Sequence, residues 1–532
     1  MSNTSQIQNP QDSLVEYGAR RVVIVITAIL CALLEIVDTT IVNVALNDMK
    51  GNLGATLSEI GWVITAYAIG NVIIIPMTSW LSQQFGRRNY FAASVILFTA
   101  CSFFCGNATT LWELILFRFL QGVGGGALLV TSQTIITEVF PIEKRGMAQA
   151  IYGLGVIVGP TLGPPLGGYL VETYSWPYIF FVNIPIGIAA AIMTLKFVRS
   201  PKYGQKKTAR EVDWFGIFFL MMAVGCLQFV LEKGQEEDWF SSEIILICSV
   251  ISAIMFYFFI WRESVAKNPI VNLRVLKDKN LAIGTILTFI LGFGLYGSTF
   301  IIPLYLQNIL GWTAYQAGLI MVPSAVVTAI MMPIIGVLMQ KGVKQQLLIS
   351  LGFVLFFVYS LWGYRILTPF TGFYDFFWML MLRGFALSMI FIPITTLALS
   401  TLTGKSIGEG ASFTGMARQL GGSFGVALIT TFMTRQSFSY RTDMVGNTNP
   451  ANGIFQQKYE SLVAMFTHKG MALNQAREAA YKAVDGMIMK QVAILSYMDV
   501  FLYIGMMFLI CVPFVLMVKN SKKKMDMSAA MH

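Results

Sequence analysis

The chain has 532 residues, 56% of them hydrophobic and only 12% charged, with 37 Lys and Arg against 27 Asp and Glu. Soluble domains carry about 25% charged residues, so half that share at this length excludes a soluble enzyme, a secreted disulfide scaffold and a disordered chain. The six cysteines (Cys31, Cys101, Cys105, Cys226, Cys248 and Cys511) have neither framework nor metal-ligand spacing, and two histidines, His468 and His532, are too few for a metal centre. No metal and no cofactor is expected.

A membrane span needs about 20 mostly apolar residues. In chain order the runs are 22–46, 60–80, 90–107, 111–137, 147–170, 178–197, 213–231, 243–261, 281–308, 316–339, 346–364, 374–400, 409–433 and 497–518. The first run carries Glu35 and Asp38 and lacks a small-residue cleavage site, so it reads as a span rather than a cleavable signal. If the N-terminus is cytoplasmic, the inside loops hold about 24 Lys and Arg, among them Arg87/Arg88, Lys144/Arg145, the Lys196–Arg210 cluster and Lys519–Lys524. The short outside loops hold about three, Lys50, Lys233 and Arg365. Such an asymmetry requires an even number of spans with both termini inside. The surplus of +10 is therefore topology, with anionic-lipid contact as its companion, and no nucleic acid is expected as a partner. One outside loop, 434–496, is long and polar with helical spacing at Phe455, Tyr459, Leu462 and Phe466 and again at Ala476, Ala480, Val484 and Met487. Two readings are open for it: a solvated helical hairpin lying on its own membrane domain, or a docking surface for a partner.

Motifs recur at an offset of about 260 residues. Ser79-Trp-Leu-Ser-Gln83-Gln-Phe-Gly86-Arg87-Arg88 after span 2 is echoed by Gly336-Val-Leu-Met-Gln340-Lys341 after span 10. Arg118 in span 4 is echoed by Arg383 in span 12, the stretch around Gly159 by Gly421-Gly-Ser-Phe-Gly425, and Asp38-Thr39 by Ser298-Thr299. Secondary transporters are built from such repeats, with their site at the repeat interface near the midplane. The expected fold is an all-α polytopic bundle. It has a cytoplasmic 1–21, a six-helix half 22–197, two inserted helices 213–262, a second six-helix half 281–518 and a cytoplasmic tail 519–532.

Ionisable side chains inside a span are costly and mark function by default. Glu35 and Asp38 stand at i, i+3 on one face of span 1, and Arg118 is the natural counter-ion. Either the trio is a static ion pair joining spans 1 and 4, or it is a proton-coupling site. The second reading is favoured because repeat 2 has Ser298 where repeat 1 has Asp38. Arg383 and Arg418 read equally as packing or as anion contacts, while Asp499, Glu409 and Glu138, at span ends, read as structural. Span 5 contains Gly155, Gly159, Pro160, Gly163, Pro164, Pro165, Gly167 and Gly168; four-residue glycine spacing permits close helix approach, and the prolines argue for a bend suited to a rocking interface. Span 9 sets Phe289, Phe293, Tyr296 and Phe300 on one face. That stripe is either packing or a lipophilic substrate wall, with Asn43, Gln133, Gln307 and Met389 as its companions; 29 methionines suit adaptable binding.

Asp38-Thr-Thr-Ile-Val-Asn-Val-Ala-Leu46, Trp62-Val-Ile-Thr-Ala-Tyr67, Arg118-Phe-Leu-Gln-Gly122, the Gly155–Gly168 stretch and Ile179-Phe-Phe-Val-Asn-Ile-Pro-Ile-Gly187 resemble the major facilitator superfamily and, within it, the 14-span drug:proton antiporters. Asp238-Trp-Phe-Ser-Ser242, Asn268-Pro-Ile-Val271, the Arg418–Gly425 stretch and the long loop before span 14 resemble its EmrB group. The resemblance, from about residue 20 to 518, implies proton-driven export of lipophilic or weakly acidic toxic compounds from a bacterial inner membrane. It also implies a periplasmic EmrA-like adaptor and an outer-membrane TolC-like channel as partners. By position it implies that Asp38 is the span-1 acid, Arg118 the span-4 arginine and Gly155–Gly168 the antiporter signature. Gln83, Gly86, Arg87, Arg88 and Gln340 fall in the gating loops. Gln83 stands where the superfamily carries Asp, so a neutral latch is expected, and Asn47 stands where a proline usually ends the span-1 motif. The rival reading on the same fold is a proton-coupled uptake permease, which needs a pocket richer in hydrogen-bonding groups. An enzyme lacks any nucleotide loop or nucleophile–base set in this sequence.

Overall fold

The computed structural model describes residues 14–201, 212–266, 269–446, 448–449 and 452–517. Lys202, Lys206, Lys207 and Arg210 of the basic cluster, Asn268 and Lys519–Lys524 lie outside the described residues, as does the side chain of Asn47. The first half consists of α1 (Gly18–Leu53), α2 (Leu57–Ile74), α3 (Thr78–Phe85), α4 (Arg87–Gly106), α5 (Leu111–Val139), α6 (Arg145–Thr173), α7 (Tyr178–Phe181) and α8 (Asn183–Phe197). The inserted pair is α9 (Trp214–Lys233) and α10 (Glu243–Val265). The second half consists of α11 (Lys279–Asn308), α12 (Ala314–Leu319), α13 (Val322–Gln340), α14 (Gln345–Ile366), α15 (Phe373–Leu399), α16 (Lys405–Gly446), α17 (Gly453–His468) and α18 (Leu473–Met517). Helix starts follow local chemistry: Thr56 with Glu59 and Thr110 with Glu113 form capping boxes on α2 and α5, and Asp278 accepts from the first free N–H groups of α11.

Thirteen helical segments among the described residues are long and apolar enough to cross a membrane. The remaining expected span lies in α16, which has ample length at 42 residues but is polar in composition because Glu409, Ser412, Thr414, Arg418 and Ser423 are buried against other helices rather than replaced by apolar residues. The crossings place Gly18 and Met517 at one end of the bundle, the terminal face, and loop 434–496 at the other, the loop face.

At 1.5 Å per residue, α16 and the 45-residue α18 measure about 63 and 68 Å, roughly twice the hydrocarbon thickness. Loop 434–496 is therefore a helical projection continuous with spans 13 and 14. Asp499 joins its base by accepting from Gln436 Nε2 (2.8 Å) and the Tyr440 hydroxyl (2.7 Å), a bond that pushes the Tyr440 phenol up to about 12. α17 packs on α18, where the Tyr459 and Tyr481 rings lie 4.5 Å apart and Ala476 and Ala480 are buried.

The halves meet where α6 packs on α12 and α13, and where α16 packs on α5; α9 packs on both α2 and α16. The glycines of α6 divide between two neighbours. A Cβ on Gly159 would lie 2.6 Å from Ile36 Cγ2 and one on Gly167 2.8 Å from Ile41 Cγ1, while one on Gly163 would collide with Thr40 Oγ1. That row seats α6 on α1 inside the first half. Gly153 instead faces Phe391 and Met332, and Gly168 faces Tyr315, all in the second half. The helix runs unbroken through Pro160, Pro164 and Pro165.

Gly163→Ala is expected to destabilise the protein by about 1–3 kcal/mol through overpacking, read as a lower melting temperature in detergent. Gly486→Ala on the open side of α18 is expected to leave the melting temperature unchanged or slightly raised.

Candidate functional site

Asp38, on α1, is fully buried and every polar atom it presents is engaged. Its Oδ2 accepts from Arg118 Nη1 at 2.5 Å, and its Oδ1 accepts from Gln121 Nε2 (3.0 Å) and Asn183 Nδ2 (2.8 Å). Arg118 in turn donates through Nε to the Val63 carbonyl (3.2 Å) and through Nη1 to Gln121 Oε1 (2.8 Å), and its guanidinium lies 4.1 Å from the Tyr67 ring centroid. Gln121 closes the network by donating to Ser102 Oγ at 2.7 Å. Residues from α1, α2, α4, α5 and α8 thus share one ion pair.

The second half repeats this geometry without the acid. Arg383 donates through Nε to Ser298 Oγ (2.9 Å), through Nη2 to Thr299 Oγ1 (2.6 Å) and through Nη1 to Ser324 Oγ (3.3 Å). The echo of Asp38-Thr39 in Ser298-Thr299 is thereby a structural equivalence, with each arginine bonded to its own half's counterpart.

Glu35 behaves differently from Asp38, one turn away. Its Oε1 accepts from Asn71 Nδ2 at 2.9 Å, and its Oε2 has no hydrogen-bond partner among the described residues. Its stem occupies room left by Gly125, where a Cβ would sit 3.3 Å from Glu35 Cγ and 2.7 Å from the Tyr67 hydroxyl. The cation that acts on Glu35 electrostatically is Arg418 of the second half. Arg418 is buried, donates through Nη2 to the Tyr152 hydroxyl at 3.1 Å, and has Nη1 without a partner among the described residues. Tyr296 is within its electrostatic reach and packs against Gly422. An acid from one half and a guanidinium from the other therefore lie within electrostatic reach of each other across the seam, close to Tyr152, Tyr296 and Tyr67, whose hydroxyl has no partner among the described residues.

The other candidates are dispersed. Phe289 packs on Phe424 and Phe293 on Tyr503, so the span-9 stripe splits between α16 and α18, with Tyr296 the member that reaches the seam. Phe300 is half-buried, while Asn43 and Gln307 are exposed towards the loop face. Gln133 is buried within the first half, donating to Gln149 Oε1 at 3.2 Å, and Met389 is buried against Gly352 inside the second half.

At the terminal face, Gln83 donates to Ser79 Oγ of its own helix (3.2 Å), and Ser79 Oγ would lie 3.0 Å from a Cβ on Gly408 of the second half. Gly86 takes φ +81°, a conformation that favours glycine. Arg87 forms a buried two-bond ion pair with Glu138, and the Arg88 N–H donates to Ser200 Oγ. Gln340, the repeat's equivalent, is exposed at the end of α13. The charged link between halves is Arg145, which reads in the sequence only as one of the topology-setting cations. Its Nη1 donates to the carbonyls of Leu399 and Leu402, both at 2.8 Å, at the negative end of α15. Asn71, Gln121, Asn183 and Tyr152 also escape sequence reasoning, although Gln121 and Asn183 stand inside the motifs quoted around Arg118 and Ile179.

The sequence profile of the Major Facilitator Superfamily matches residues 28–426. "Multidrug export protein EmrB" of Escherichia coli (strain K12) is 34% identical over 484 residues, covering 91% of this chain and 92% of that protein. "Fatty acid resistance protein FarB" of Neisseria gonorrhoeae is 33% identical, covering 92% and 94%. Among solved structures, the human organic anion transporter MFSD10 superposes with a TM-score of 0.56 at 12% identity over 92% of this chain and 100% of that one, a likeness of fold.

Removing the Arg145 charge with Arg145→Gln is expected to cost the closed terminal face about 1–2 kcal/mol, a shift of roughly five- to thirty-fold in the open:closed ratio. Spin labels at Glu143 and Lys341, exposed on opposite halves, should report a larger long-distance population than in the unmutated protein.

Proposed function

The chain belongs to the major facilitator superfamily, and we propose that this multidrug-efflux transporter exchanges protons for lipophilic and weakly acidic compounds, with Glu35 carrying the proton and Arg418 receiving the acidic head of the substrate. The observation that supports the reading is that Glu35 and Arg418, from opposite halves, lie within electrostatic reach of each other, each with a polar atom unpartnered among the described residues, close to three tyrosines. A guanidinium binds carboxylates and phenolates through paired N–H groups, and tyrosines offer flat apolar faces with polar edges. The fatty acid resistance in the printed name of FarB fits such a head group.

Asp38 differs from the notion of a shared carboxylate pair: Arg118, Gln121 and Asn183 occupy it completely, which suits an anchor rather than a carrier. Substrate and the Glu35 proton compete for this pocket: a substrate entering from one side displaces the proton, and reloading of the proton from the other side releases the substrate. Exchange then requires only differential binding in one pocket. One elementary charge crossing 100 mV supplies about 2.3 kcal/mol.

The basic loops assign the terminal face to the cytoplasm. Arg145 then closes the cytoplasmic side, and exposed Asn43 and Gln307 lie towards the outer side. The chain sits in a bacterial inner membrane with both termini cytoplasmic. The 434–496 projection, standing well beyond the membrane, is the seat for an EmrA-like periplasmic adaptor leading to a TolC-like channel. The proton gradient is the energy source, and no cofactor takes part.

In proteoliposomes with an imposed pH step and a panel of oleate, a lipophilic phenol and ethidium, the unmutated protein is expected to accumulate at least one compound. Glu35→Gln should bind that compound but accumulate it at least ten-fold less. Asp38→Asn, which leaves Arg118 buried without its anion, should lower stability by about 3–5 kcal/mol as well as transport. Glu35→Gln transporting like the unmutated protein would remove Glu35 from the mechanism, and a panel on which no compound moves would remove the exchange reading.

A further inference from the structure

The carboxylate chemistry of this protein does not end at Glu35. Glu232, near the outer end of the inserted helix α9, is partly buried in the groove between α9 and α16. Its Oε1 accepts from Gln228 Nε2 at 2.9 Å, and the same Gln228 nitrogen donates to Ser423 Oγ of α16 at 2.8 Å. Gln228 Oε1 is a buried acceptor without a donor among the described residues. The charged group acting on Glu232 is Lys233, yet Lys233 points elsewhere: its Nζ bonds Glu236 (2.6 Å) and the Ser58 carbonyl of α2 (3.1 Å) and lies over the Trp62 ring. The neighbours set against this part of α9 are uncharged, namely Trp62 on α2, which stacks on Phe229, and Ser423 on α16. The charged residues of α10 (Glu243, Arg262 and Glu263) and of α16 (Lys405, Glu409, Arg418, Arg435, Arg441 and Asp443) are not among the groups acting on it.

Depth follows from a second contact. Trp239 donates through Nε1 to Thr431 Oγ1 at 3.0 Å, and eight residues separate Thr431 from Ser423 on α16, so the Gln228–Ser423 contact lies about 12 Å deeper. Trp239 is held there by a turn in which Asp238 and Trp239 both adopt positive φ, +54° and +52°. Two consecutive non-glycine residues in that region store strain, which structures retain where surroundings over-determine it. The inserted pair thus ties α2 of the first half, through Lys233, to α16 of the second, through Gln228 and Trp239, with a carboxylate below the tie.

We propose that Glu232 is a second proton-binding residue of the transport cycle, loaded from the outer side and coupled to the movement of α16 through Gln228 and Ser423. This rests on the exchange reading above. When the carboxylate is ionised, the Gln228 amide donates to it and to Ser423. When a proton joins Glu232, the new O–H is a donor, and the Gln228 amide turns to accept it through Oε1, with Ser423 able to donate to the same oxygen. In either state Gln228 bonds Glu232 and Ser423 together only while α16 stands beside α9. Rocking of the halves withdraws Ser423 and changes the affinity of Glu232 for its proton, which is the condition for coupling proton binding to conformation.

The test compares the unmutated protein, Glu232→Gln, Glu232→Asp and Glu35→Gln. Equilibrium exchange and pH-driven accumulation are measured with whichever of oleate, phenol or ethidium the unmutated protein moves. PH-step difference infrared spectra are recorded on the same proteins in detergent without substrate. Glu232→Gln is expected to retain equilibrium exchange, to accumulate at least five-fold less across the pH step, and to lose one carboxylic-acid C=O band from the difference spectrum. Accumulation equal to the unmutated protein, or an unchanged spectrum, overturns the proposal. So does a parallel loss of exchange and accumulation in both Glu232→Gln and Glu232→Asp with every band retained, since that marks a packing role. If the unmutated protein moves no compound against the pH step, the exchange reading fails, while the infrared spectrum still decides whether Glu232 binds a proton.

Discussion

A guanidinium cannot be left alone in a low-dielectric bundle, and the first half of this protein is organised around meeting that requirement. Arg118 finds a carboxylate on α1, a carbonyl on α2 and an amide on its own helix, and the same carboxylate gathers Asn183 from α8. Removing one partner of such a pair leaves an uncompensated charge, so the relative placement of five helices depends on this cluster. Because Asp38 is consumed by it, Glu35 one turn away is free to face the seam.

The second half meets the same requirement with hydroxyls alone, Ser298, Thr299 and Ser324 around Arg383. Substitution of serine for aspartate removes the anion but keeps the arginine in place, which preserves the pseudo-symmetric scaffold. The acid at the seam is not repeated in the second half, where the counterpart of Glu35 is Leu295. Duplication supplied two similar halves, and divergence placed an acid in one and a base in the other at non-equivalent positions that meet between them.

The seam is held by contacts of different kinds at its two ends. At the terminal face a cation, Arg145, closes on the carbonyl end of α15, while Gln83 stays on its own helix. At the loop face α6 and α12 approach through Gly168 and Gly318, and the inserted pair bridges α2 and α16. A bundle that moves between two states needs ties that can break singly. Single hydrogen bonds to backbone carbonyls meet that need better than interlocked apolar side chains, whose separation exposes area all at once.

Much of the architecture is legible without coordinates. Bilayer thickness imposes run length and the basic residues impose sidedness. Repeated motifs at one offset expose the duplication, because these constraints act on short stretches of chain. Span 13 shows the limit of composition: α16 is polar because its polar residues face partners, and only those partners make it a stable intramembrane helix. Spacing places Glu35 and Asp38 on one face, as i, i+3 must, but it is the neighbouring helices that give Asp38 an arginine and Glu35 an asparagine and an open oxygen. Likewise the span-9 aromatics share a face in the sequence, and α16 and α18 divide them. Helical period determines which residues point together; which of them are satisfied, and which are left to react, is decided by groups tens to hundreds of residues away that only the packed bundle brings within hydrogen-bonding distance.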